Sequence, residues 1–239
     1  MTEVHVASAM LDVRVLGLGS NLVLTHRISM AKETDTRPKL GRPRKFNEEK
    51  AVEAAMRVFW DKGYEGASLR DLTEAMGIDR KSMYLTLGDK EALFLKALQC
   101  YSVTHLSFLP KALEKPTLRE FVDELFNAAI RFWTDKSHPE ACLSIQNLAV
   151  SDEAESIKHA LMDWRAWGLE QFRKRAQRAR AEGDLPKQIK PEAFARYLAI
   201  IMSGLAHQAA TGATLPELKQ AIKMFRQTMP FGVEDSTAR

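Results

Sequence analysis

Arg80, Lys81 and Ser82 stand in a row directly after Asp79, at the head of a stretch that ends at Gly88. A guanidinium, an ammonium and a hydroxyl on the first turn of a short helix are donors that phosphate oxygens and base edges accept. A second basic feature precedes them: Arg37, Lys39, Arg42, Arg44 and Lys45 fall within nine positions with no acid among them, an electrostatic footprint for a polyanion. Bond-breaking chemistry has no such support. There is no G-x-S-x-G, P-loop or H-E-x-x-H, and the six histidines (His5, His26, His105, His138, His159, His207) do not cluster at ligand spacing. The carboxylates fall in helix caps and on helix surfaces, so the chain reads as a non-enzyme with no metal and no cofactor.

Two short helices must position those donors. Ser68 caps the first, with Asp71 as its capping-box partner. Leu69, Leu72, Ala75 and Met76 share one face, and Gly77 stands where a left-handed C-terminal residue is wanted. Asp79 caps the second helix, which turns Met83 and Leu87 inward and leaves Arg80, Lys81, Tyr84 and Leu85 outward. Such a pair, joined by a glycine-containing turn, is the helix-turn-helix unit, whose second helix enters the DNA major groove. The spacing and caps alone also suit a helical hairpin of any all-α protein. A preceding helix, Asn47 to Lys62, is capped by Asn47, ended by Gly63 and striped by Ala51, Ala54, Ala55, Val58 and Phe59. It completes a three-helix core.

G-R-P-R-K-F from Gly41, A-A-M-R-V-F-W-D-K-G-Y around Val58, S-L-R-D-L-T-E-A-M-G-I from Ser68, S-M-Y and G-D-K-E-A-L-F closely resemble the N-terminal domain of the TetR family of bacterial transcriptional regulators. The resemblance is specific from about Gly41 to Leu95; beyond that only the architecture is similar. It implies that Arg80 and Lys81 face the groove with Ser82 beside them, while Ser68, Tyr84 and Lys90 hold phosphates. Arg42, Arg44 and Lys45 would contact DNA from the arm. Lys81 stands where the family commonly has a small residue or proline, and Leu87 where it has an aromatic; both departures bear on operator sequence.

The chain has 239 residues, 45% apolar and 28% charged, with a net charge of +4 and a pI near 9.0, as in a soluble globular protein of one or two domains. Two cysteines, Cys100 and Cys142, make no disulfide framework, and a reducing cytoplasm is the natural reading. Val13 to Leu24 is apolar in patches, interrupted by Asp12, Arg14 and Asn21 in and beside it, and too short to span a membrane. Met30 is favoured over Met1 as the start, because M-A-K-E-T opens a polar lead. The expected division is a disordered extension and arm over residues 1–40, a DNA-binding domain over 41–90, a C-terminal domain over 91–232 and a flexible tail over 233–239.

The fold class expected is all-α: a three-helix head plus a larger helical domain, about nine helices together. A long helix from Asp89 to about Leu109 leads out of the head and is broken between Pro110 and Pro116. Further helices run from Leu118 to about Thr134, to Val150, from Asp152 to Glu182, from Pro191 to near Gly212, and from Leu215 to about Met229. Leu198, Ile201, Met202 and Leu205, then Leu218, Ile222 and Phe225, offer more apolar surface than one monomeric face needs. The family pairs through its last two helices, so these residues are the expected homodimer interface. Phe121, Phe126, Trp133, Cys142, Gln146, Trp164, Trp167 and His207 are candidates to line a cavity for a small hydrophobic effector, with Gly168 leaving space beside the rings. For each, packing in the core is the competing reading; Cys142 is a thiol or metal sensor or an inert buried cysteine, and His207 reads more safely as a satisfied core histidine. The basic run Arg173, Lys174, Arg175, Arg178, Arg180 reads as a solvated helix end rather than a second nucleic-acid site. Double-stranded DNA, a second copy and a small-molecule effector are the implied partners, with no membrane. The function implied is a ligand-responsive repressor on a palindromic operator; an activator or architectural binder without effector, and a helical adaptor with a vestigial helix-turn-helix, are the alternatives.

Overall fold

A computed structural model describes residues 47–140, 142–147, 150–151 and 154–229. The extension, the basic arm with Arg42, Arg44 and Lys45, Asp152, and the tail from 233 lie outside them. The described residues form ten α-helices and no strand.

The head comprises α1 (Glu48–Gly66), α2 (Leu69–Met76) and α3 (Arg80–Thr86). Asn47 accepts the Lys50 N–H at the start of α1. Ser68 and Asp71 close a reciprocal capping box on α2, and Asp79 accepts the Ser82 N–H at 2.7 Å on α3. Each cap satisfies backbone donors that the first turn leaves unpaired. Gly63 takes φ +72° inside α1 and breaks it, so the last turn redirects the chain toward Ser68. The buried face of α1 is wider than the expected stripe: Val52, Met56 and Trp60 join Ala51, Ala55 and Phe59, while Ala54 and Val58 are half-buried. The reason is that α1 packs against α2 on one side and the body of the protein on the other.

The body begins with α4 (Lys90–His105), capped by Asp89. It ends earlier than expected, and Pro110 lies inside a separate helix, α5 (Phe108–Leu113). In one continuous helix Pro110 would offer no N–H to Leu106 and its ring would clash there. Restarting at Phe108 places the proline in a first turn, where that N–H has no partner anyway. Then follow α6 (Leu118–Trp133), α7 (Leu143–Gln146), α8 (Glu155–Ala181), α9 (Pro191–Ala210) and α10 (Leu215–Thr228). Helices α6, α8 and α9 pack together, α10 lies on α6 and α9, and α4 runs from the head onto α8.

The basic run at the end of α8 is not the solvated face expected. Arg175 is buried, and its Nη2 donates to the carbonyls of Lys115 and Pro116; Arg178 donates to those of Leu113 and Lys115. Arg180 does the same for Pro186, Lys187 and Ile189. The turn between α5 and α6, and the one before α9, leave carbonyls without helical partners, and the guanidiniums supply the donors.

Trp60, Tyr101, His105, Phe132 and His138 form one aromatic cluster where the head meets the body. Burial, with His138 and Arg57 nearby, lowers the His105 pKa below its ordinary 6.5. The unfolded chain therefore takes the proton more readily, so stability is complete above that value and lost as pH falls below it. The expected urea midpoint is flat above about pH 7.5 and declines toward about pH 5.5, with a flatter profile in His105→Phe.

Gly88, at φ +89°, turns α3 into α4, and a Cβ there would lie 2.8 Å from Ala92 Cβ; Gly77, at φ +67°, has open space around it. Gly88→Ala is expected to cost about 2 kcal/mol and Gly77→Ala about 1 kcal/mol in urea unfolding. Equal costs would mean the close approach is relieved freely.

Candidate nucleic-acid interface and cavity

Met83 is wholly buried and Leu87 nearly so, while Arg80, Lys81 and Tyr84 are exposed and Leu85 is 76% exposed. The outer face of α3 is therefore two cations, a phenol and an unprotected leucine. That pattern suits groove edges and thymine methyls rather than a protein core. Ser82 is half-buried at the first turn, its N–H held by Asp79. Ser68 is exposed, but its hydroxyl donates to Asp71 at 2.6 Å, and Lys62 also meets Asp71; Lys62 and the Ser68 bonds together hold that carboxyl well below the usual range. The Lys90 ammonium lies 4.5 Å from the centre of the Tyr64 ring, a cation–π contact that parks a charge at the flank of α3. Burial lowers the Lys90 pKa and, with Glu91, Glu65 and Asp89 adding to it, pushes the Tyr64 phenol up to about 12.

In the body, a cavity of about 600 Å³ opens among α4–α5, α6, α7, α8 and α9. Trp133, Cys142, Trp164, Trp167 and His207 line it, with Gly168 among them and clear space where its Cβ would stand. The Trp164 indole donates to Ser102 at 2.8 Å, which fixes its ring. Three candidates lie elsewhere. Phe121 and Phe126 are fully buried core, Phe121 against Phe172, and Gln146 is exposed and does not line the cavity. His207 is exposed at the wall rather than a buried core residue. Cys142 and Cys100 are both free thiols; Tyr101 donates to Cys142 at 3.5 Å, and Ser144 lies 3.4 Å from the same sulfur. No group of three or more potential metal ligands occurs among the described residues, and no helix among them is long and apolar enough to cross a membrane.

Residues 51–97 match the model of the bacterial regulatory proteins of the tetR family. The repressor ComR of Escherichia coli K12 is 29% identical over 185 residues, covering 75% of this chain and 87% of ComR. BdcR, a repressor from the same organism, is 27% identical over 189 residues, covering 74% of this chain and 86% of BdcR. A cysteine mutant of the TetR family regulator CifR, solved with 26-base-pair operator DNA, superposes with a TM-score of 0.75 at 36% identity, over 79% of this chain and all of that one. The chain belongs to the TetR family. It is a DNA-binding transcriptional regulator of helix-turn-helix type.

In this TetR-family chain the cavity wall and the head share a direct connection that sequence reasoning did not single out. Asn147, 1% exposed, accepts the Tyr64 N–H at 2.6 Å and donates to the Leu143 carbonyl at 2.7 Å. Tyr64 follows the break at Gly63, whose absent Cβ would sit 3.2 Å from the Gln146 carbonyl. Glu65, next in the chain, accepts the Ser151 N–H. Arg165 of α8 ties down the same segment by donating to the carbonyls of Ser144 and Asn147. The available signal was weak: an asparagine in a loop after a broken helix is a turn residue on most readings.

The last two helices also differ from expectation in which side chains remain free. Leu198, Ile201, Leu205, Leu218 and Ile222 are buried in the chain's own core, and Met202 and Phe225 are half-buried. The large apolar side chains left exposed on α9 and α10 are Ile200 and Met224, with Gly204 exposed beside clear space. A helix hydrophobic on more than one face gives no sign in the sequence of which face its own fold will cover. Asn147→Ala is expected to lower stability by about 2 kcal/mol in thermal or urea unfolding, since it leaves the buried Tyr64 N–H unpaired; an unchanged midpoint would mean water replaces the bond.

Proposed function

We propose that this chain is a transcriptional repressor that binds a palindromic operator as a homodimer and releases it when a small apolar effector enters the cavity. The observation that carries the reading is the outward face of α3. Arg80, Lys81 and Tyr84 project from a helix whose other face, Met83, is sealed in the core. Arg80 and Lys81 read base edges, and Tyr84 and Lys90 set register on phosphates, with Arg42, Arg44 and Lys45 adding contacts from the arm; Ser68, whose hydroxyl and N–H both donate to Asp71, serves as the cap of α2 instead of the phosphate contact expected. A single head makes too few contacts for specific affinity, so two are needed, one helical turn apart. The exposed Ile200 and Met224 with Gly204 supply a pairing face on α9 and α10, joined by the half-buried Met202 and Phe225. ComR and BdcR are named as repressors, and the CifR chain was solved on operator DNA; both support the reading.

The effector acts by preferring the dimer whose heads are wrongly spaced for the groove, and shifts the population by its difference in affinity between the two states. Two routes join cavity and head: α4, which is continuous from Lys90 to His105, and the segment 142–147 through Asn147 and Tyr64.

Operator DNA is obtained by footprinting the stretch upstream of the chain's own gene. On it, Arg80→Ala with Lys81→Ala is expected to weaken binding by about a hundredfold and reduce the salt dependence by about two ions. Lys90→Ala should instead weaken operator and unrelated duplex about equally. A double variant that keeps both affinity and salt slope would show that α3 does not read DNA.

A further inference from the structure

The cavity is mostly aromatic and aliphatic, yet its charged side chains share one sign. Arg165 and Arg196 lie along its wall beside His207, and no aspartate or glutamate is among the described residues that line it. Arg165 is the most committed of them. It is half-buried on α8, burial lowers its pKa, and it has no carboxylate partner among the described residues. One of its terminal nitrogens rests on two backbone carbonyls, Ser144 at 2.8 Å and Asn147 at 3.4 Å. Carbonyl dipoles hold a guanidinium in place without neutralising it. A desolvated cation facing an apolar space gains most from an anion that brings its own hydrocarbon. The indole N–H of Trp133, buried on the same wall, is a further donor with no acceptor among the described residues.

We infer that the cavity takes an apolar organic acid, its carboxylate on Arg165 and its body among Trp133, Trp164 and Trp167. A cationic amphiphile meets the like charge of Arg165 and Arg196. A neutral hydrocarbon leaves the guanidinium uncompensated. The carboxylate also explains how occupancy reaches the head. A bidentate acid competes with the carbonyls of Ser144 and Asn147 for Arg165, and loosens the segment whose Asn147 holds the Tyr64 N–H. This last step rests on the repressor reading; the choice of ligand does not.

The test is a titration of the full-length chain with decanoate and, separately, 1-decanol, read by the fluorescence of the cavity tryptophans, followed by the same titrations on Arg165→Gln. Decanoate is expected to bind at least about tenfold tighter than the alcohol. In Arg165→Gln the acid should fall to the level of the alcohol, whose own affinity stays put. Equal binding of the two compounds by the unaltered chain, or binding of neither, overturns the inference whether or not the variant folds. A preference for the acid that survives in a folded Arg165→Gln overturns the role of Arg165. Operator affinity is measured in parallel: decanoate that binds with the stated preference but leaves DNA bound keeps the ligand class and removes the effector mechanism.

Discussion

A seven-residue helix cannot hold itself together in water. The structure therefore depends on the burial of Met83 and Leu87, which fastens α3 to the core of the head and leaves Arg80, Lys81 and Tyr84 no direction but outward. Everything else in the head serves that one attachment. Asp79 accepts the Ser82 N–H at its first turn, Gly77 and Gly88 make the turns on either side, and α2, with its wholly buried Leu72, packs against it. Charge gives attraction for a phosphate backbone, but only a fixed helix gives register.

That same core is not private to the head. Helices α1 and α4 each belong to both parts, and the aromatic cluster around Trp60 fills the junction. Rings packed edge to face at 4.9–5.1 Å, such as Trp60 on Tyr101 and Phe59 on Phe94, leave little room for continuous deformation. A junction of this kind moves as a unit or not at all. Asn147 adds a directional link: a buried amide that bonds the chain after the break in α1 on one side and, on the other, the Leu143 carbonyl of the helix that carries Ser144 and Ile145 of the cavity wall.

How much of this could be read from the sequence follows from how local each cause is. The caps were legible because each acts over three residues, and the structure closes the Ser68–Asp71 box and caps α1 with Asn47 and α3 with Asp79. The inward turn of Met83 and Leu87 and the all-helical fold follow from periodicity. What failed was long-range. Arg175, Arg178 and Arg180 looked like a surface run, since the carbonyls they serve lie about sixty residues away for the first two. Phe121 and Phe126 looked like cavity wall, and Leu198 and Leu205 like interface, because apolar periodicity says which residues are covered and not by what. Arg165 carried no signal, and Asn147 only that of a turn residue, until the fold set them against a cavity and a helix break.

The account holds that DNA is read because α3 is held rigid, and not merely because the head is basic. Operator affinity of Met83→Ala tests this most directly, with folding of the body checked by circular dichroism, because the substitution touches no outward-facing residue. The expected result is a fall to the affinity shown for unrelated duplex, which itself stays within about twofold of the unaltered chain. Operator binding that survives the loss of that buried anchor would contradict the account.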